Sequence, residues 1–287
     1  MDVAVIGDVS GHPEELVHAL RVLGADPTTL ALPADVTVVQ VGGLLDPGPD
    51  PEAVLDIIEL QLATGRWIQL LGSDEAAAAG LQPEDAPSPG PDRGGRSPSG
   101  LGESDRKRLA DWWDSGRVRA AAAVRVAGHP SMLVTHAGLT HGLWYELRSP
   151  ASPEDAVRKL GDIARTDRAR FLRSGHVHGA PRSMAAGPVW ASASDELYPS
   201  LTMGVELGTP VPFGQIHGHS SPYSWARGTW RATERDRPGL RLVRDRRQVV
   251  GTVAGQPMAS VAPELGAAGG VRWEPLVLRD ATVTVTA

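Results

Sequence analysis

Five short polar segments carry the residue types of hydrolytic and metal chemistry. They are Gly7-Asp8-Val9-Ser10-Gly11-His12, Gly42-Gly43-Leu44-Leu45-Asp46-Pro47-Gly48, Gly72-Ser73-Asp74-Glu75, His136-Ala137-Gly138-Leu139 and His217-Gly218-His219-Ser220. Each follows an apolar run, and each is marked by glycine, which lets backbone turn sharply and approach a ligand. Carboxylates and imidazoles gathered at strand ends have the composition of a metal site, in the place where α/β sheets put their sites.

The elements that must position these segments are legible in the apolar spacing. Val3 to Ile6 reads as a buried strand that ends at Gly7. Pro13 to Leu23 follows as a helix, with Leu16, Ala19, Leu20 and Leu23 on one face and acids in its first turn. Val36 to Val41 is a second strand, Pro51 to Ala63 a second helix with proline at its first position, and Trp67 to Leu71 a third strand. This alternation predicts an α/β sheet with parallel pairing. Residues 82–103 are rich in Pro, Gly and Ser and read as a flexible surface insertion. Ser104 is expected to cap a helix running to Trp113, and Pro153 to Arg173 to be helical. Ala121 to Val126 and Met132 to His136 are expected as strands around a Gly128-His129-Pro130 turn. The C-terminal third reads as strands at Gln215 to His219, Leu240 to Val243, Gln248 to Val253, Pro275 to Leu278 and Thr282 to Thr286. An α/β beginning and a β-rich end suggest two sheets packed face to face with helices outside, in one domain spanning 1–287.

Composition narrows the function. The chain has 287 residues and a formal charge of -6, an acidity that argues against nucleic-acid or membrane-surface binding, both of which need a basic face. No run of roughly 18 apolar residues predicts a membrane span. The N-terminus opens directly into a strand without a basic leader, and cysteine is absent, so a cytoplasmic address is expected. Of the 28 basic residues only Lys107 and Lys159 are lysines, and asparagine does not occur, a pattern of G+C-rich coding rather than of phosphate binding.

In order and spacing the five segments resemble the calcineurin-like metallophosphoesterases, in the branch of the serine/threonine protein phosphatases and the diadenosine-tetraphosphatase-like enzymes. That branch reads G-D-x-H-G, G-D-x-x-D-R-G, G-N-H-E, H-A-G-L or H-G-G-L, then G-H. The resemblance spans residues 7 to 220 and implies a β-sandwich of two mixed sheets flanked by helices, with two divalent ions between the sheets. The family's ions, about 3.5–4 Å apart, clamp a phosphate and activate a bridging water.

The chain departs from the pattern at several ligand positions. Asp8, His136 and His219 match metal ligands, whereas Ser10, Gly43 and Ser73 stand where a histidine, the bridging aspartate and an asparagine belong. Pro47 replaces the phosphate-binding arginine and Asp74 the acid histidine; Asp46 matches the second aspartate of its block. The resemblance therefore implies at most one divalent ion (manganese, iron or zinc) on Asp8, His136 and His219, since three ligands plus water is an ordinary catalytic geometry. Asp46 and Asp74 remain as catalytic carboxylates. Ser10, Ser73, His12 and His141 are expected to line the cleft and touch substrate. His217 reads as a core histidine, and Gly175-His176-Val177-His178-Gly179 as an exposed loop. Gly187-Pro188-Val189-Trp190 resembles a G-P-L-W segment of bacterial members, with Arg182 the nearest arginine upstream. The leading expectation is a catalytically impaired or inactive family member that binds a phosphorylated small molecule, a phosphoprotein or another protein partner. The alternative is an active phosphoesterase with a rebuilt or single-metal site. All these residues should meet in one cleft between the sheets.

Overall fold

A computed structural model describes residues 1–45, 47–81, 101–176, 181–266 and 269–285. Asp46 and residues 82–100, 177–180, 267–268 and 286–287 lie outside them, and with them the expectations for Asp46, for most of the insertion, for the loop around His178 and for the Thr286 end of the last strand. The first part alternates β1 (Asp2–Ile6), α1 (Pro13–Val22), β2 (Val36–Gln40), α2 (Pro51–Leu62), β3 (Trp67–Leu70) and α3 (Ser73–Ala78). Then come α4 (Glu103–Asp114), β4 (Val118–Arg119), β5 (Ala122–Val126), β6 (Met132–Thr135), α5 (His141–Glu146), α6 (Pro153–Thr166), α7 (Arg168–Phe171) and α8 (Tyr198–Glu206). The rest is β7 (Gly214–His217), the hairpin β8 (Tyr223–Ser224) and β9 (Thr229–Trp230), β10 (Leu240–Val243), β11 (Gln248–Val253), β12 (Gln256–Ser260), β13 (Leu276–Leu278) and β14 (Ala281–Thr284).

The architecture is mixed α/β, with two large mixed sheets flanked by helices. One sheet has the order β13-β1-β2-β3-β4 and the other β10-β11-β12-β7-β6-β5-β14. β1 to β4 are parallel and β13 joins antiparallel; in the second sheet β12, β7 and β6 are parallel and the outer strands antiparallel. β13 and β14 are consecutive in the chain yet enter different sheets, which ties the two together.

Strand periodicity places the core. Val3 and Val5 of β1 pack with Val39, Leu70, Val124, Val134, Ile216 and Ala259, a layer drawn from both sheets. Ala4 and Ile6 face the other way, toward Leu16 and Leu20 of α1 and Leu55 and Ile58 of α2. Each fully buried valine or leucine stabilises the fold by about 1.5–3 kcal/mol, so a one-residue slip of β1 is heavily penalised. Helix starts follow local chemistry. Pro13 and Glu14 open α1; Asp50 accepts from Ala53 N–H at the start of α2; Ser152 accepts from Asp155 N–H at the start of α6.

Several expectations need correction. Ser104 does not cap α4; Gly102 does, and Ser104 lies inside the helix. Leu101, at the end of the expected flexible insertion, is buried. The helix expected over Pro153 to Arg173 breaks at Asp167, whose side chain accepts from Arg170 N–H and starts α7. β12 escapes the sequence reading because Pro257 breaks its pattern; it lies between β11 and β7, with Pro257 opposite Thr252. Among the described residues no helix is long and apolar enough to cross a membrane.

Candidate functional site

The carboxyl ends of β1, β2 and β3 in one sheet meet those of β6 and β7 in the other. The joint is made by hydrogen bonds across the sheets. His219 N–H donates to both oxygens of Asp8, at 2.7 and 3.2 Å. His136 Nδ1 lies 2.9 Å from the carbonyl of Val41, which can only accept, so Nδ1 carries the proton. His136 Nε2 is then the acceptor and faces Ser73 Oγ at 3.3 Å. Ser73 Oγ is 3.5 Å from His219 Nδ1, the two imidazole rings are 4.8 Å apart, and His136 Nδ1 is 3.8 Å from Asp8 Oδ1. Trp190 sets its ring edgewise against His219, at 6.4 Å.

The loops that carry these groups are cross-braced. Ser10 N–H donates to the Gly43 carbonyl and Gly11 N–H to that of Leu44, while the Ser10 carbonyl accepts from Gly48 N–H. Beneath them, the Gln40 side chain bonds Gly7 and both peptide groups of Gly42, and receives the Gln69 amide. Gly43 has φ +71, and a Cβ there would lie 2.6 Å from Asp8 Oδ1. His219 is held at φ 59, a left-handed conformation that turns its N–H onto Asp8.

Glu75 belongs to the site although the sequence reading assigns it no role. Its carboxylate is buried and accepts from Gly43 N–H at 3.0 Å and Leu44 N–H at 2.7 Å. The one signal for it is its place at the end of the Gly72–Glu75 segment, where the G-N-H-E segment it resembles also ends in glutamate. Burial, reinforced by the charge of Asp74 and opposed by the backbone donors, pushes its pKa up to about 7. Burial also holds Asp8 well above the carboxylate range; the His219 N–H opposes this, and the charges of Glu75 and Asp74 add to it. Among the described residues, neither Asp8 nor Glu75 has a lysine or arginine as an ion-pair partner.

Asp8, Gly43, Ser73, Asp74, His136 and His219 are thus brought together, with the Ser10 backbone at the rim. Two expected cleft residues are turned elsewhere. His12 is buried, with Nε2 donating to the Gly266 carbonyl at 2.8 Å. His141 packs between α5 and α8, with Nε2 3.0 Å from the Thr209 carbonyl. Arg182 pairs with Asp195. His217 is a core residue, as its strand position predicts. Its Nδ1–H donates to the Gly218 carbonyl, Nε2 accepts from the Tyr198 hydroxyl at 3.0 Å, and burial pushes its pKa down to about 4.

The described residues do not supply the full ligand set of the two-ion pattern that the chain resembles. Gly43 supplies no bridging carboxylate, and the space into which its side chain would grow holds the Asp8 carboxylate. Among the described residues, no group of three or more His, Cys, Asp or Glu side chains is arranged to hold a metal ion.

No protein-family model matches the chain. No curated protein matches it. Among solved structures it is similar to a point mutant of a cold-active protein tyrosine phosphatase. The TM-score is 0.47 at 14% identity, and the match covers 96% of this chain and 75% of that one.

Proposed function

We propose that the chain is a calcineurin-like phosphoesterase in architecture whose catalytic centre has been converted to a self-satisfied polar cluster, so that it acts by binding rather than by hydrolysis. The observation that carries this reading is the Asp8 carboxylate, which fills the space where a side chain at Gly43 would grow and is engaged by His219 N–H. A phosphoryl group needs positive charge to bind and to react. Here it would meet acidic side chains, and neither Asp8 nor Glu75 has a lysine or arginine as an ion-pair partner among the described residues. The partner is then a protein, or a phosphorylated ligand held elsewhere on the molecule, in the cytoplasm that a cysteine-free chain suits.

A second reading, hydrolysis with one divalent ion on Asp8, His136 and His219, is favoured by the closeness of Asp8 to His136 and of the two imidazole rings to each other. Metal analysis of protein purified with manganese, iron or zinc, paired with p-nitrophenyl phosphate turnover, separates the two. The expected result is sub-stoichiometric metal and turnover at the buffer background. Stoichiometric metal, with turnover that disappears in Asp8→Ala, would establish the second reading instead.

A further inference from the structure

Ser73 brings a hydroxyl to the cluster at the place where the resembled pattern has an asparagine. A serine hydroxyl becomes a nucleophile when a neighbouring base takes its proton, and that base needs a third group to fix its tautomer. Both conditions are met here. His136 Nδ1–H donates to the Val41 carbonyl at 2.9 Å, which leaves the Nε2 lone pair facing Ser73 Oγ at 3.3 Å. Catalytic pairs are often this loose before substrate arrives. Asp8 Oδ1 lies 3.8 Å from the same Nδ1, beyond hydrogen-bond reach, so the carbonyl is the orienting group.

Nucleophile and base are fixed to one strand end. His136 is tied to Val41, the residue after β2, and the segment that carries Ser73 is tied to the following residues through Glu75, which accepts from Gly43 and Leu44 N–H. The absence of a Cβ on Gly42, which would lie 2.5 Å from Gly72 Cα, lets the two loops touch. A reacting pair held by the scaffold in this way keeps its geometry without a substrate. Ser73 is buried, and Asp8, Asp74 and His219 beside it are half-buried, so a small reagent reaches the hydroxyl from their side. Because Asp8 and Glu75 lack a basic ion-pair partner among the described residues, the setting favours an uncharged group over an anion.

We propose that Ser73 is an acyl acceptor: with His136 as its base, it takes a short acyl group from an uncharged, activated carboxylic ester. Ser73 Oγ forms a bond to the carbonyl carbon, the bond from that carbon to the ester's alcohol oxygen breaks, and the Oγ proton passes through His136 Nε2 to the departing oxygen. The products are an acyl-serine and the free alcohol. The inference rests on the metal-free reading of the cluster and gives it a covalent ligand. A divalent ion on His136 would occupy Nε2, since Nδ1 is committed to Val41, and would take the base away from Ser73.

The test treats the full chain with p-nitrophenyl acetate in the presence of a chelator, follows p-nitrophenol release, and locates the acetyl group by peptide mass spectrometry. A burst of one equivalent per chain is expected. Acetyl should appear on Ser73 ahead of every other serine of the unaltered chain, a readout that needs no variant. Ser73→Ala should abolish the burst, and His136→Gln should slow it about a hundredfold or more, the low end of what a positioned base contributes. The thermal midpoint of each variant shows whether it is folded. The inference is overturned if Ser73 carries no acetyl at excess reagent, if folded His136→Gln labels Ser73 at the parent rate, or if labelling requires added manganese. Metal-dependent turnover of p-nitrophenyl phosphate would instead overturn the metal-free reading. A chain that binds no metal, leaves that phosphate intact and takes no acetyl on Ser73 would overturn this inference alone.

Discussion

Replacing Glu75 by glutamine changes one atom type in a buried group and isolates what its charge does. In the folded chain, Glu75 takes up its proton near pH 7; an unfolded glutamate does so near 4.5. Between those values the folded state holds a proton that the unfolded state has released, so this group makes the fold less stable as pH rises from 4.5 to about 7. The full difference corresponds to roughly 3 kcal/mol, and between about pH 5 and pH 8.5 roughly 2–3 kcal/mol of it should appear. Glutamine does not titrate, but its amide offers one acceptor oxygen where Gly43 and Leu44 present two donors. That lost hydrogen bond costs about 1–3 kcal/mol at every pH. Urea unfolding of both proteins across this pH range should therefore show Glu75→Gln clearly less stable at pH 5 and level with, or above, the parent at pH 8.5. Because the charge of Glu75 also raises Asp8, the difference between their curves reports Glu75 together with its coupling to the neighbouring carboxylates. A constant offset across the whole range would refute the reasoning, since it would mean that Glu75 is equally ionised in both states.

Gly43→Asp, which would place an aspartate where the resembled pattern has its bridging ligand, should destabilise the chain. The left-handed φ costs about 1–2 kcal/mol, and displacing Asp8 from His219 N–H costs about 1.5–3 kcal/mol more. An unchanged urea midpoint, or manganese bound by Ser10→His, Gly43→Asp, Ser73→Asn and Asp74→His together, would show the cleft to be more yielding than its packing indicates. Tyr198→Phe removes the hydroxyl donor to His217 Nε2 and should cost about 1–3 kcal/mol at pH 7.5; a loss below about 0.5 kcal/mol would exclude that bond. His217 should also give the parent an acid limb opposite in sign to that of Glu75. Its folded pKa of about 4 lies below the ordinary 6.5, so the stability it lends is complete above pH 6.5 and is lost as pH falls toward 4.

The legible part of this fold is the part set by local pattern. Val3 to Ile6 alternates toward two layers, Pro13 and Pro51 open helices, and the glycines after β1, β2 and β3 mark where the chain must turn. That the Gly43 position needs glycine is visible only in the structure, where its φ is +71. The directions of the side chains are set by partners far away in sequence. His12 and His141 stand beside the right motifs, yet the carbonyls of Gly266 and Thr209 claim their rings. Glu75 gives little local signal because its donors, Gly43 and Leu44, are supplied by a loop some thirty residues earlier, where nothing in the sequence marks a carboxylate cradle.

The same distinction explains the chemistry of the cleft. A group of buried carboxylates can be balanced by a cation, by a basic side chain or by protons. Asp8 and Glu75 have no lysine or arginine as an ion-pair partner among the described residues, and both are pushed toward the protonated form. Where the resemblance would place ligands, at Gly43 and Ser73, the described residues form a closed hydrogen-bond network. Asp8 settles onto the His219 backbone, Ser73 onto the His136 ring, and Glu75 onto the loop that would have carried the bridge. Each contact occupies an atom or a space that a second ion would have to reclaim. A two-ion centre of the resembled pattern would therefore require breaking this network as well as supplying ligands, and that is why introducing the motif residues alone is expected to fail.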